Sequence, residues 1–110
     1  SNSHTGKDFS LILQYIQTNY RKVSLKSLAE LFHYSEAHLS VLIKKNTGLN
    51  FNTIIKKLKM TSALDYIENT DFSIEDIAER VGYISVDHFS RTFKKYYSKS
   101  PQQYRKSIRG

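Results

Sequence analysis

The chain has 110 residues, and its 17 Lys and Arg against 10 Asp and Glu give a formal net charge of +7 at pH 7. This excess suits a polyanionic partner, either nucleic acid or an anionic membrane surface, and charge alone does not choose between them. Because cysteine is absent, disulfides and thiolate zinc sites are excluded, which fits a cytoplasmic location. No apolar run approaches the roughly 20 residues that span a bilayer.

The first part of the chain predicts two helices behind a polar leader. Residues 1–7 are polar, and we expect a disordered tag or linker there. A stripe of apolar residues predicts a first helix from about residue 8 to residue 20. Ser24 is a candidate N-cap for a second helix, and His33 follows that helix where a left-handed residue is needed. Histidine adopts positive φ less freely than glycine, so this turn should be strained.

A third helix and a long fourth helix follow. Ser35 is the N-cap candidate of the third helix, and Gly48 stands where that helix should end. The fourth helix should run from about Asn50 to Asn69 without an interrupting Gly or Pro. About 19 residues make a rod near ~28 Å, and major grooves on one face of DNA recur about every ~34 Å. Such a rod would suit two recognition helices in successive grooves.

The stretch from Ser73 to Lys95 predicts a helix-turn-helix. Ser73 is an N-cap candidate, Gly82 marks a tight turn, and Ser85 opens a second helix. In such a pair the second helix enters the DNA major groove. Residues 100–103 then form a capping-box pattern, with proline at the first helical position, that opens a short last helix.

The same pattern occurs earlier in the chain. Residues 24–30 align with residues 73–79, and Ile84 is an extra residue before the alignment continues through the next helix. Two copies are too few for a solenoid. The duplication therefore predicts an all-α protein of seven helices, with helix-turn-helix subdomains at 8–49 and 70–110 joined by a linker helix at 50–69.

The motifs SIEDIAERVGY, HFSRTFKKYYSKSP and QQYRK resemble those of the AraC/XylS family of bacterial transcription regulators. The resemblance covers about residues 9–109 and implies a cytoplasmic DNA-binding fragment of a larger regulator. It also implies double-stranded DNA and RNA polymerase as partners, and we expect the isolated fragment to be monomeric. Four residues depart from the family pattern: Ser98 replaces the usual glycine, Lys59 replaces the common arginine, and Ile43 and Tyr83 each replace phenylalanine. Ser98 leaves the end of the second recognition helix open.

The second recognition helix carries the best candidates for base contacts. With Phe89 and Phe93 turned inward, the outward residues are Val86, Asp87, Ser90 and Arg91, and the family pattern implies base contacts at the same positions. Arg91 can bind guanine O6 and N7 with two hydrogen bonds. Asp87 can accept from a cytosine amino group or orient Arg91, and Val86 can touch a thymine methyl.

In the first recognition helix the matching residues are Ala37, Ser40 and Val41, after Glu36 at its start. Because Val41 takes the place of Arg91, this helix should read thymine methyls and DNA shape, or position the protein. An apolar protein contact on this face is the alternative. Phosphate contacts are predicted for Ser35, Lys44, Lys45, Ser85, Lys94 and Lys95.

Six of the ten acids lie between residues 65 and 79. Asp65 and Glu68 are predicted to face RNA polymerase, whereas Glu75 and Asp76 equally suit a helix N-terminus. A basic helical module for a membrane surface or an acidic protein is the alternative function, although a membrane helix would need one continuous basic amphipathic face. We expect no enzymatic activity, because the sequence shows no set of nucleophile, base and orienting group. We also expect no metal or cofactor, because His38 and His88 have no second ligand at zinc spacing.

Overall fold

The computed structural model describes residues 2–110, with side chains from Phe9 onward. Within this part of the chain it has seven helices and no strand, which confirms the predicted all-α class. The helices are α1 (Asn2–Asn19), α2 (Leu25–Phe32), α3 (Glu36–Thr47), α4 (Phe51–Asn69), α5 (Ile74–Arg80), α6 (Val86–Tyr97) and α7 (Pro101–Arg109).

Helix α1 begins at Asn2, ahead of the expected start near Asp8. The apolar stripe that signals this helix in the sequence begins only at Phe9, and adding turns to an existing helix is far easier than nucleating one. Ser1 lies outside the described residues, and the assignment of residues 1–7 as a tag or linker remains a prediction.

Serine residues cap the N-termini of five of the helices, as the sequence predicted. In each case the hydroxyl oxygen accepts a hydrogen bond from the backbone N–H three residues later, at 3.0–3.3 Å. Each bond satisfies one of the N–H groups that a helix start leaves without a partner. These capping residues are Ser24, Ser35, Ser73, Ser85 and Ser100.

Left-handed residues end the helices of both pairs. His33 has φ of 63°, which confirms the strained turn expected after α2, and Gly82 has φ of 91° in the matching turn. After the recognition helices, Gly48 and Ser98 have φ of 77° and 71°. Helix α6 therefore ends at Tyr97, and Ser98 takes the conformation for which glycine is the usual residue.

The chain divides into two compact units, residues 1–56 and 57–110, and the boundary falls inside α4. Helix α4 supplies Phe51 and Ile54 to the buried residues of the first unit. In the second unit one apolar cluster joins α4, α5 and α6, with Phe89 and Phe93 fully buried. Its members are Met60, Ala63, Ile67, Ile74, Ile77, Ala78, Val81, Phe89 and Phe93.

Two arginines of α7 close the C-terminal end of α4. Arg105 and Arg109 both donate to the backbone carbonyl of Ile67 in the last turn of α4, at 3.5 and 3.4 Å. Just after the helix, Arg105 also donates to the Phe72 carbonyl at 2.5 Å, and Arg109 pairs with the Asp71 carboxylate at 2.6 Å. Carbonyls at a helix end have no partner within the helix, so these side chains stabilise the α4 terminus. Both guanidinium groups are thereby engaged in the fold of the second unit.

Candidate nucleic-acid interface

Burial of one side of α6 fixes which of its side chains face solvent. Phe89 and Phe93 are fully buried, and this places Asp87, Arg91 and Lys94 on the exposed side. Val86 and Ser90 were expected to be exposed as well, but both are half-buried. They line a groove of about 280 Å³ together with the first turns of α5 and α7, which shield them.

The Arg91 side chain is held by the backbone of its own helix. Its Nε donates to the carbonyl oxygen of Asp87 at 3.4 Å. Among the described residues no carboxylate pairs with this guanidinium, so the Asp87 carboxylate does not orient it. The two terminal nitrogens of Arg91 therefore stay available for the two acceptors of a guanine edge.

The first recognition helix presents an apolar surface at the same place. Leu39, Leu42 and Ile43 are buried, whereas Ala37 and Val41 are exposed, Val41 with 64% of its surface accessible. Because Val41 is so exposed, it contributes little to the core, and packing does not explain an apolar residue at this position.

Ser40 is half-buried beside the first turns of α2 and α4, in a groove of about 480 Å³. The two grooves match through the repeat. Ser40 corresponds to Ser90, and Asn52 corresponds to Gln102. Asn52 and Gln102 are exposed beside the recognition helices and were not among the predicted site residues. Asn50 caps α4 by accepting from the Thr53 backbone N–H at 2.8 Å, as Ser100 caps α7. The matched positions of Asn52 and Gln102, two residues after these caps, could have identified them from the sequence.

The predicted phosphate-contacting residues fall into two groups at opposite ends of the recognition helices. Ser35 and Ser85 cap the N-termini, and their hydroxyls accept from the backbone N–H groups of His38 and His88. The lysines occupy the last turns and are exposed: Lys44 and Lys45 in α3, Lys94 and Lys95 in α6. Each helix has 12 residues, a length of about 18 Å. Each recognition helix therefore carries predicted phosphate-contacting residues at both of its ends.

The turn before α6 is held by a lysine of α4. Lys59 Nζ donates to the Gly82 carbonyl at 3.3 Å and lies 4.9 Å from the centre of the Tyr83 ring. Burial lowers the pKa of Lys59. Burial also raises the pKa of Tyr83, and a hydrogen bond with Thr92 opposes this increase. In the sequence, Lys59 stood out as a departure from the family pattern.

Two of the acidic residues at positions 65–79 pair with arginines, one directly after this segment and one near the C-terminus. Arg80 pairs with Asp76 at 3.0 Å, and Arg109 pairs with Asp71. Asp65 and Glu68 are exposed; Asp65 accepts from the Asn69 side chain at 2.7 Å, and Glu68 accepts from the Tyr104 hydroxyl at 3.3 Å. Neither carboxylate forms an ion pair with a basic residue in the described part of the chain.

Across the described residues, no helix has both the length and the apolar character needed to cross a membrane. The same part of the chain contains no cluster of three or more His, Asp or Glu side chains arranged to hold a metal ion.

Comparisons with known proteins find the same pattern of elements elsewhere. A family model described as a helix-turn-helix domain matches residues 28–107. The multiple antibiotic resistance protein MarA of Escherichia coli is 35% identical over 95 residues, which cover 86% of this chain and 75% of MarA. The transcriptional activator FapR of Escherichia coli is 37% identical over 81% of this chain. The match covers 34% of FapR, and a match to the RafR regulator of Pediococcus pentosaceus covers 37% of RafR, so the chain spans about a third of these relatives.

Two of the solved structures with the same fold are C-terminal domains of response regulators. The C-terminal domain of the response regulator yesN from Fusobacterium nucleatum has a TM-score of 0.84 at 34% identity, covering 96% of this chain and 99% of that one. The C-terminal domain of AraT, a response regulator from Geobacillus stearothermophilus, has a TM-score of 0.86 at 36% identity, covering 91% and 84%.

Proposed function

This chain belongs to the AraC-type helix-turn-helix family of transcription regulators, and we propose that it reads double-stranded DNA mainly through α6. In this proposal α3 and α6 enter successive major grooves, and hydrogen-bonded base recognition is concentrated in the second unit. The 19-residue α4, uninterrupted by Gly or Pro, supports this spacing.

The position of Arg91 is the observation that carries the proposal. Arg91 is exposed on the side of α6 opposite Phe89 and Phe93, and its terminal nitrogens have no carboxylate partner among the described residues. Arginine paired with guanine O6 and N7 is the commonest specific contact in the major groove. Asp87, one turn earlier and also exposed, is placed to accept from a cytosine amino group.

The first helix-turn-helix contributes less to sequence choice in this proposal. Ala37 and Val41 offer methyl groups, which distinguish thymine by its C5 methyl but donate no hydrogen bond to a base edge. Val86 has the same part in the second unit, and Ser40 and Ser90 each offer one hydroxyl. The first unit then acts mainly through DNA shape and phosphate contacts.

The lysines at the ends of the recognition helices supply affinity that does not depend on sequence. Lys44, Lys45, Lys94 and Lys95 would displace counterions from the DNA backbone, which makes binding strongly dependent on salt. Ser35 and Ser85, with the amides of the first turns, complete the phosphate contacts at the other end of each helix. The net charge of +7 is in keeping with this role.

Selection from a pool of random duplexes tests the proposal most directly. We expect a well-specified segment containing guanine, and about one helical turn away, ~10 base pairs, a second segment that is only loosely specified. A protein that enriches no sequence over random duplex at physiological salt would contradict sequence-specific binding. Equal binding to anionic vesicles would favour the alternative, a basic module for a membrane surface or an acidic protein.

We further propose that the chain acts in the cytoplasm as the DNA-binding part of a larger activator, and that the isolated part is monomeric. Asp65 and Glu68 are exposed carboxylates in the second unit without a cationic partner, and such a surface suits a basic site on RNA polymerase. Changing both to lysine should reduce transcription activation in a reconstituted assay while leaving DNA affinity intact. Full activation by the double variant would contradict the polymerase contact.

A further inference from the structure

We propose that Lys59 is a positioning residue for α6, which fixes the turn before this helix and thereby the direction in which Arg91 meets a base. The proposal rests on the base-reading role proposed above for Arg91, but its structural part does not. Three lysines lie close together in α4, and the structure separates Lys59 from the other two.

Lys59 differs from its neighbours in exposure and in contacts. Lys56 and Lys57 are exposed, whereas Lys59 is half-buried and donates from Nζ to the Gly82 carbonyl at 3.3 Å. The same Nζ lies 4.9 Å from the centre of the Tyr83 ring, within the distance at which a cation and an aromatic face attract. Desolvation by burial lowers the pKa of Lys59, as expected for an ammonium group turned towards the protein.

Gly82 and Tyr83 connect this contact to the recognition helix. Gly82 is the left-handed residue of the turn, with φ of 91°, so its carbonyl direction depends on an uncommon backbone conformation. The Tyr83 ring lies edge-on to His88 at 5.2 Å and packs on Phe89 at 5.5 Å, measured between ring centres. Tyr83 also shares a hydrogen bond with Thr92, the residue next to Arg91.

The first unit has the same aromatic contact without the lysine. Tyr34 lies edge-on to His38 at 5.1 Å, which matches the pair formed by Tyr83 and His88. Within residues 9–56, no Lys or Arg lies over the Tyr34 ring. The added support therefore belongs to the unit whose recognition helix carries the arginine. This is what a device for base reading requires, because a bidentate contact tolerates little change in direction.

The test compares three variants on the selected duplex and on a duplex altered at the base pair that Arg91 reads. Lys59→Met keeps the aliphatic stem but removes the donor and the charge, Lys59→Arg keeps both, and Lys57→Met is the matched change at an exposed site. We expect Lys59→Met to reduce discrimination between the duplexes about two- to tenfold, with the salt dependence unchanged. Lys59→Arg and Lys57→Met should keep the wild-type discrimination. In an Arg91→Ala background, Lys59→Met should have no further effect on it.

Amide hydrogen exchange of the free protein separates this proposal from that of Arg91. We expect Lys59→Met to speed exchange in residues 83–89 while the amides of α7 keep their protection, a pattern that a general loss of stability does not produce. If exchange changes in this way but Arg91→Ala leaves discrimination intact, the base-reading role of Arg91 fails and the positioning of the turn stands. Wild-type exchange and discrimination in Lys59→Met would overturn the proposal. So would a uniform loss of affinity with a weaker salt dependence, since Lys59 would then be a phosphate contact.

Discussion

In the second helix-turn-helix, α6 carries Arg91 at the position where α3 of the first carries Val41. The inward positions of the two helices agree in character, since Leu39 matches Phe89 and Ile43 matches Phe93, and all four are fully buried. Packing constrains what points inward, whereas what points outward is constrained only by the partner. The comparison therefore supports the proposal that sequence reading is concentrated in the second unit, with the first unit in a supporting part.

The two helix pairs place glycine at different left-handed positions. The first pair has histidine in the turn and glycine after the recognition helix, and the second pair has glycine in the turn and serine after that helix. All four residues have positive φ. Each pair thus has one unstrained left-handed residue and one that costs conformational energy, roughly 1–2 kcal/mol for a non-glycine residue.

The largest effect should come from breaking the part that the pairs share. Phe93→Ala should lower the free energy of unfolding by about 3–5 kcal/mol, and Ile43→Ala at the matched position by about 2–5 kcal/mol, because each leaves a cavity in a fully buried site. Urea denaturation followed by circular dichroism measures both values. A loss below about 1 kcal/mol at either position would show that the two cores are not equivalent.

The next effect tests the part that the pairs do not share. Arg91→Ala should weaken binding to the preferred duplex by roughly 1–3 kcal/mol and relax the preference at one base pair, whereas Val41→Ala should change preference little. Fluorescence anisotropy on the preferred duplex and on single-substituted duplexes measures this.

Lys95→Ala provides the contrasting control for the Arg91 experiment. It should weaken binding to all duplexes alike and reduce the slope of log affinity against log salt by about 0.9, as expected for one lost phosphate contact. If Arg91→Ala behaves like Lys95→Ala, the arginine contacts phosphate and not a base.

The smallest effect concerns the caps. Ser98→Gly should raise the free energy of unfolding by about 0.5–1 kcal/mol. Relief of the strain at φ of 71° is partly offset because glycine gives the unfolded chain more conformational entropy. Gly48→Ser should lower the free energy of unfolding by a similar amount, and no atom lies within 4 Å of the position where its Cβ would stand, so strain is the only expected cause. Thermal unfolding of the two variants checks the pair, and equal signs would contradict this account.

Much of the fold could be predicted because its signals are local. Serine caps, apolar stripes and left-handed turns act within a few residues. Over residues 2–110 the structure confirms the seven helices, the five serine caps and the positive φ of His33. The start of α1 was misjudged because the polar residues before Phe9 carry no stripe. The exposures of Val86 and Ser90 were misjudged because their shielding comes from α5 and α7, which helical geometry of α6 alone does not include.

The sequence alone determined the helices, their duplication, and which side of each recognition helix is turned away from the core, since these follow from residue spacing within one element. Only the tertiary structure decided that Lys59 contacts the turn before α6 while Lys57 faces solvent, and that Arg105 and Arg109 bond to the last turn of α4. The physical reason is the range of the interaction. A cap or a stripe acts between neighbours in the chain, whereas the partner of a long cationic side chain is set by which distant backbone carbonyl or ring the folded chain brings within reach.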